Sequence, residues 1–149
     1  MITQLTKEYK EEYLELVNEF YHSEAVLHPV PFQYMEATYQ EAVNNSPYVG
    51  CYLYLVDQMP VGYMLLSYSF SAEAGGKVVW LEELYIKKQY RGQGIGHQFL
   101  KYLNDEVVKD KARVRLEVEP DNERALKLYK SQEFEILPYI QMIKDYQDE

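Results

Sequence analysis

The stretch Tyr90–Gly96, YRGQGIG, sets three glycines at alternate positions directly after an apolar run and directly before a helical repeat. Ile95, Phe99, Leu103 and Val107 recur every fourth residue, the spacing of one helix face. Glycine costs a helix about 1 kcal/mol per residue relative to alanine, so a helix that opens on three of them needs a reason. A helix N-terminus leaves four backbone N–H groups without intrahelical partners and carries the positive end of the dipole. Stripping side chains from that turn lets a bulky anion reach the backbone, and phosphate is the usual occupant. The local charge agrees. From Lys87 to Asn104 there is no carboxylate, in a chain with 24 acidic residues, and the same window holds Lys87, Lys88, Arg91 and Lys101. The alternative is that the glycines serve only close helix–sheet packing.

Upstream of the glycines, VVWLEELYI (Val78–Ile86) reads as a long apolar strand. Before it, Val49–Val56 and Val61–Phe70 read as a hairpin joined by the tight turn DQMP, Asp57–Pro60. Nearer the N-terminus, Tyr9, Tyr13, Leu16, Val17 and Phe20 follow helical spacing within Lys7–Tyr21, with Thr6 as N-cap. The proline-punctuated break HPVPF (His28–Phe32) leads to a second helix over Gln33–Val43. Downstream, the glycine-led helix runs to about Lys109, ARVRLEVE (Ala112–Glu119) alternates as a strand, DNERALKLYKSQEF carries a short helix, and a last strand falls around Ile136–Ile143. Two helices, a meander, then strand–helix–strand–helix–strand describe a mixed α/β layer fold around one sheet.

The 149 residues suit a single domain spanning 1–149. Nearly half the residues are apolar and sixteen are tyrosines, which points to a globular chain. No apolar run approaches a spanning helix, the charged start MITQLTKEYKEEYLEL lacks a signal-like apolar region, and Cys51 is the single cysteine. These features lead to the expectation of a cytoplasmic protein with no membrane partner, no internal disulfide and no metal site. A net charge of −9 disfavours nucleic acid as a partner, which needs a basic footprint. The same charge is compatible with steering a cationic substrate, or simply with solubility.

Phosphate-binding patterns separate on spacing. The P-loop string GxxxxGK[ST] is absent, and the dinucleotide fingerprint GxGxxG opens an early βαβ unit, whereas here GxGxG follows a hairpin meander past the middle of the chain. Arg91-Gly92-Gln93-Gly94-Ile95-Gly96 instead resembles the [RQ]-x-x-G-x-[GA] signature of the GNAT superfamily of acyl-CoA-dependent N-acyltransferases. The resemblance covers roughly Val61–Phe134, from LEELYIKKQYRGQGIG to NERALKLYKSQEF in matching order. It implies a GNAT-like α/β fold, an α+β mixed and mostly antiparallel sheet of about six to seven strands with about four helices on both faces. Two departures stand out. Lys88 occupies a position where proline is common, and Glu133 stands where the family usually has the glycine of Y-x-x-x-G-F. The latter predicts a longer last helix or a strained cap.

The resemblance also implies the chemistry, acetyl transfer from acetyl-CoA as co-substrate to a primary amine of a small molecule or peptide. The rival is a non-catalytic acyl-CoA-binding sensor or scaffold. Cofactor contacts are implied at Leu84, Tyr85 and Ile86 for the pantetheine arm, at Arg91, Gly92, Gln93, Gly94, Ile95 and Gly96 for the pyrophosphate, and at Asn122. Tyr129, seven residues after Asn122 and so on the same helix face, is the implied acid for the leaving thiolate and a further cofactor contact. Glu82 matches the glutamate of L-E-[DE]-x-[FY]-[VI] in polyamine-acetylating relatives and is the implied base acting through water, with Glu83, or water and backbone alone, as alternatives. Strand alternation would send Glu82 and Glu83 to opposite faces.

The remaining candidates read as structural. Cys51, with no histidine nearby in sequence, suits a packed core thiol, and Trp80 suits the core. His22 and His28 are six apart, which places a metal on neither helix face. Phe20, Tyr21, Phe32 and Tyr34 either line an acceptor pocket or pack beneath a loop. An exposed edge at the C-terminal strand would allow a homodimer.

Overall fold

The computed structural model describes residues 1–146. One five-stranded sheet carries β1 (Ile2–Gln4), β2 (Val49–Val56), β3 (Met59–Ser71), β4 (Gly76–Ile86) and β5 (Arg113–Leu116) in spatial order of sequence. The first three pairings are antiparallel, and β4 with β5 is parallel. Helices α1 (Lys10–Tyr21) and α2 (Phe32–Val43) cover one face, and α3 (Ile95–Tyr102) and α4 (Glu123–Ser131) belong to the other. The mixed, mostly antiparallel α/β sheet and the four α-helices agree with the sequence reading.

Each layer follows from its pattern. Tyr13, Leu16, Val17 and Phe20 form the buried stripe of α1 against Leu53, Tyr63 and Leu65. Ile95, Phe99, Leu100 and Leu103 pack onto Met64, Leu66, Val79 and Leu81 on the opposite face. The hairpin turn puts Asp57 and Gln58 at φ of 50° and 65°, the mirror-image turn whose twist matches its strands. At the chain start a 3₁₀ turn at Lys7–Tyr9 precedes α1, and the Thr6 side chain makes no capping hydrogen bond. The third helix ends early as an α-helix and continues as a π-helical turn, Leu103–Val107.

The sheet has five strands among the described residues, fewer than the six to seven expected. The shortfall is the predicted strand at Ile136–Ile143, which has no regular structure and leaves Ile140 91% exposed. The reason lies in ILPYIQMI itself. Apolar residues fall on both alternate sets, so no register is selected, and Pro138 offers no N–H to a ladder. This segment is held to the body by Tyr139, whose hydroxyl donates to Glu73 at 3.0 Å.

The decisive irregularity is in β4. Leu66 pairs with Leu81, but Leu65 pairs with Glu83, so Glu82 is an extra residue, a β-bulge. Up to Leu81 the odd residues Val79 and Leu81 face α3, whereas beyond the bulge Leu84 and Ile86 take that face. Glu83 and Tyr85 are thereby turned toward α1.

Candidate active site

The parallel pairing of β4 with β5 ends at Leu81–Leu116. β4 runs five residues further, and among the described residues no strand pairs with Glu82–Ile86 on that side. Unpaired backbone of this kind can bond an extended ligand as another strand would. A groove of about 1480 Å³ opens there, lined by Leu84, Tyr85 and Ile86 from β4, by Arg91, Gly92, Gly94, Ile95 and Gly96 from the glycine turn, and by Asn122 and Tyr129 from α4.

The three glycines have different reasons. Gly92 and Gly94 lie at φ of 77° and 83°, the left-handed region, and a Cβ built on either meets nothing within 4 Å. They give the turn its conformation and leave its groove side open. Gly94 is also the N-cap residue of α3, with no side-chain cap, so the N–H groups of the first turn are left for a ligand. Gly96 differs, since a Cβ there would stand 3.2 Å from Leu128 and 3.8 Å from Ile86. Here the packing alternative holds, and the missing side chain lets α4 close on α3.

Arg91 is fixed from two sides. Its Nε donates to the Ile86 carbonyl at 2.8 Å, and its guanidinium lies 5.5 Å from the centre of the Tyr85 ring. Of the other cations in the window, Lys87 pairs with Glu15 and Glu19 of α1 at 3.6 and 3.7 Å, and Lys101 pairs with Asp105. Lys88 remains in the lining and is joined by Arg124 and Lys127 of α4. Sequence reading missed those two, although their spacing of three on a helix beside Asn122 places them on one side. Gln93, expected among the contacts, does not line the groove, and its amide reaches the Gln89 carbonyl.

Asn122 caps α4, its Oδ1 accepting from the Ala125 N–H at 3.2 Å. Tyr129 lies two turns on and is half-buried, and burial pushes its phenol up to about 12. The expected strained cap is present. Glu133 sits at φ 67°, its N–H donates to the Lys130 carbonyl, and the Phe134 N–H donates to the Tyr129 carbonyl. This is a Schellman ending with glutamate in glycine's place.

The two strand carboxylates are not sent to opposite faces. The bulge leaves Glu82 exposed, accepting from the Ser67 hydroxyl at 2.5 Å, while the next residue, Glu83, also faces the α1 layer. Glu83 accepts from Tyr63 at 2.7 Å and from Tyr21, and burial outweighs these bonds so that its carboxyl is raised above the ordinary range. Glu83 lines a second cavity, of about 210 Å³, between α1, α2 and β4. Of the aromatic set near the helix break, Tyr21 and Tyr34 line this cavity and Phe20 lines the groove, while Phe32 is exposed at the start of α2. Cys51 is buried in the core, as expected, and Trp80 is half-buried beneath the Arg115 guanidinium.

A fold of this form, with a split parallel pair and a glycine turn over the split, defines a class of proteins. The chain belongs to the acetyltransferase (GNAT) family, whose model matches residues 4–134. It is 35% identical over 106 residues to the thialysine N-epsilon-acetyltransferase of Bos taurus, covering 64% of this chain and 61% of that protein. It is 29% identical over 126 residues to the enzyme of the same name from Mus musculus, covering 78% and 73%. The chain thus spans less than two thirds of the bovine relative's length. Among solved structures, a possible acetyltransferase from Clostridium difficile 630 superposes with a TM-score of 0.83 at 18% identity, covering 99% of this chain and 98% of that one. AAC(6')-Iy in complex with the bisubstrate analog CoA-S-monomethyl-acetylneamine does so at 0.81 and 16%, again over 99% and 98%. At these identities the structural likeness establishes the fold. Among the described residues no helix is long and apolar enough to cross a membrane.

Proposed function

We propose that the protein transfers the acetyl group of acetyl-CoA to a primary amine of a small molecule or peptide, by direct attack within a ternary complex. The observation that carries this reading is the convergence in one groove of the unpaired end of β4, the left-handed Gly92 and Gly94, and Tyr129. The family membership and the acetyl-transferring relatives support it.

The residues take the following roles. Backbone of Leu84–Ile86 extends the pantetheine arm, and the α3 N-terminus with Arg91 receives the pyrophosphate. As the amine nitrogen bonds the thioester carbon and the carbon–sulfur bond breaks, Tyr129 gives its hydroxyl proton to the departing sulfur. A phenol at about 12 stays protonated at neutral pH and so remains available as the acid. Glu82, solvent-exposed and oriented by Ser67, draws the proton from the attacking amine through water. Holding two reactants in one site can supply up to ~7–11 kcal/mol of barrier reduction in such bimolecular steps. A cytoplasmic setting suits the one reduced, buried thiol.

The test is release of coenzyme A thiol from acetyl-CoA, with and without pooled polyamines, aminoglycosides, amino acids and short peptides. Amine-dependent release is the expected result. A protein that binds acetyl-CoA and gives no amine-dependent release would be a binding module.

A further inference from the structure

We infer that the Tyr85 side chain is a positioning group that holds the Arg91 guanidinium at the glycine turn, with Glu19 of α1 as its anchor. The inference rests on the acetyl-CoA reading for what Arg91 receives. The positioning itself rests on the geometry at the end of β4.

Arg91 is a cation without a carboxylate partner. Among the described residues it forms no ion pair, and its Nε donates to the Ile86 carbonyl at 2.8 Å. A long side chain tied at one point keeps rotamer freedom that ligand binding must then remove. The Tyr85 ring supplies a second point, its centre 5.5 Å from the guanidinium carbon. An aromatic face suits a guanidinium, which is planar and weakly hydrated. A carboxylate in the same place would cancel the charge that an incoming pyrophosphate needs. A ring holds the cation and leaves its charge in force.

The ring is itself held. Tyr85 is 8% exposed and meets the rings of Phe20 at 6.1 Å and Tyr63 at 6.3 Å. Its hydroxyl donates to Glu19 Oε1 at 3.1 Å, and Glu19 Oε2 lies 3.7 Å from Lys87 Nζ. Burial raises the phenol, Glu19 raises it further and Arg91 opposes the rise, so the hydroxyl stays protonated at neutral pH and goes on donating. The contacts close a circuit from Lys87 through Glu19, Tyr85 and Arg91 to the carbonyl of Ile86, the chain neighbour of Lys87. Tyr85 and Arg91 line the groove and Glu19 does not, so Glu19 acts only through others. The bulge at Glu82 makes the circuit possible. Without the extra residue, alternation would turn Tyr85 to the α3 face, away from Glu19.

The experiment is a double-mutant cycle on coenzyme A affinity, read by calorimetry on the whole protein with no acceptor amine present. Arg91→Ala should weaken binding about tenfold, the loss of a charge-assisted contact to phosphate. Tyr85→Leu should weaken it about fivefold in the wild-type background and not at all in the Arg91→Ala background, where nothing is left to position. Tyr85→Met, whose flexible side chain fills more of the space, takes its place in the cycle if Tyr85→Leu does not fold. Tyr85→Phe keeps the ring and cuts only the bond to Glu19, so its loss should be about twofold. Equal losses from removing the ring in both backgrounds would make Tyr85 a packing residue and overturn the inference. Full affinity in Arg91→Ala, or a loss from Tyr85→Phe as large as that from Tyr85→Leu, would overturn it too. Because binding is read without turnover, the expected cycle in a protein that transfers no acetyl group would refute the transfer reading alone. Amine-dependent transfer with additive losses would refute the positioning alone.

Discussion

The Phe134 ring meets the Tyr129 ring edge-on at 5.7 Å because Glu133 turns the chain through a left-handed residue. In a Schellman ending the residue after the left-handed position packs against the last full turn of the helix, and here that partner is the candidate acid. The helix terminus thus holds the phenol ring at the groove wall, and Asn122 fixes the helix at its other end.

Replacing Tyr129 by phenylalanine keeps that ring contact and removes only the proton donor. Turnover should fall on the order of 10²-fold, within the range for a general acid, while acetyl-CoA affinity stays within about threefold. Steady-state kinetics together with calorimetry would separate the two. Unchanged turnover would remove Tyr129 from the chemistry.

Glu133 holds its left-handed conformation against a cost of ~1–2 kcal/mol for a residue with a Cβ. Glycine would relieve that strain but lose ~0.4–1 kcal/mol of it again, because glycine makes the unfolded chain freer. Glu133→Gly should therefore stabilise the protein slightly, raising Tm by about 1–4 °C at this size. Thermal unfolding checks this, and a lower Tm would mean that the Glu133 side chain makes a contribution exceeding its backbone strain.

The parts of the fold that were legible in the sequence are those set by periodicity. The β2 strand at Val49–Val56 and the buried stripe of α1 were both readable, because alternation and fourfold spacing record burial directly. The bulge at Glu82 was not, because one extra residue in a ladder leaves no mark on the pattern of its own strand, and it puts Glu82 and Glu83 on one face where alternation would have put them on two. The C-terminal strand failed for the opposite reason, since ILPYIQMI has strand composition without a face. Within the site, the glycine turn, Asn122 and Tyr129 were legible as a motif. The cluster of Glu83, Tyr21, Tyr63 and Tyr13 was not, because it gathers side chains from α1, β3 and β4 that only the tertiary fold brings together.

Gly94 and Gly96, two residues apart, should fail in different ways. Gly94→Val introduces a branched side chain at φ 83° into the open side of the turn, so acetyl-CoA affinity should drop by more than about tenfold, with the strain of a left-handed β-branched residue added. Gly96→Ala meets Leu128 at 3.2 Å, so the loss should appear as lower thermal stability through displaced α4 packing, typically ~1–3 kcal/mol for overpacking. Parallel calorimetry and melting on the two variants would test the division. Equal effects on binding and stability in both would show that the turn acts as one packing unit.

Glu83 gives the stability of the fold a pH dependence of known sign. Burial is the main cause of its raised carboxyl, the bonds from Tyr21 and Tyr63 oppose the rise, and the neighbouring Glu82 adds to it. In the native state Glu83 therefore binds a proton more tightly than in the unfolded chain, where it titrates near its ordinary 4.5. Between that value and the raised one the native state holds more protons, so this group's contribution to stability is fully present below 4.5 and declines as pH rises through the window. Glu83→Gln cannot titrate. The stability of wild type minus that of the variant, from chemical denaturation at a series of pH values, should fall across the window and level off above it. A difference that stayed flat would mean that Glu83 titrates alike in both states, and one that rose with pH would mean that the two tyrosine hydrogen bonds outweigh burial and hold the carboxylate ionised.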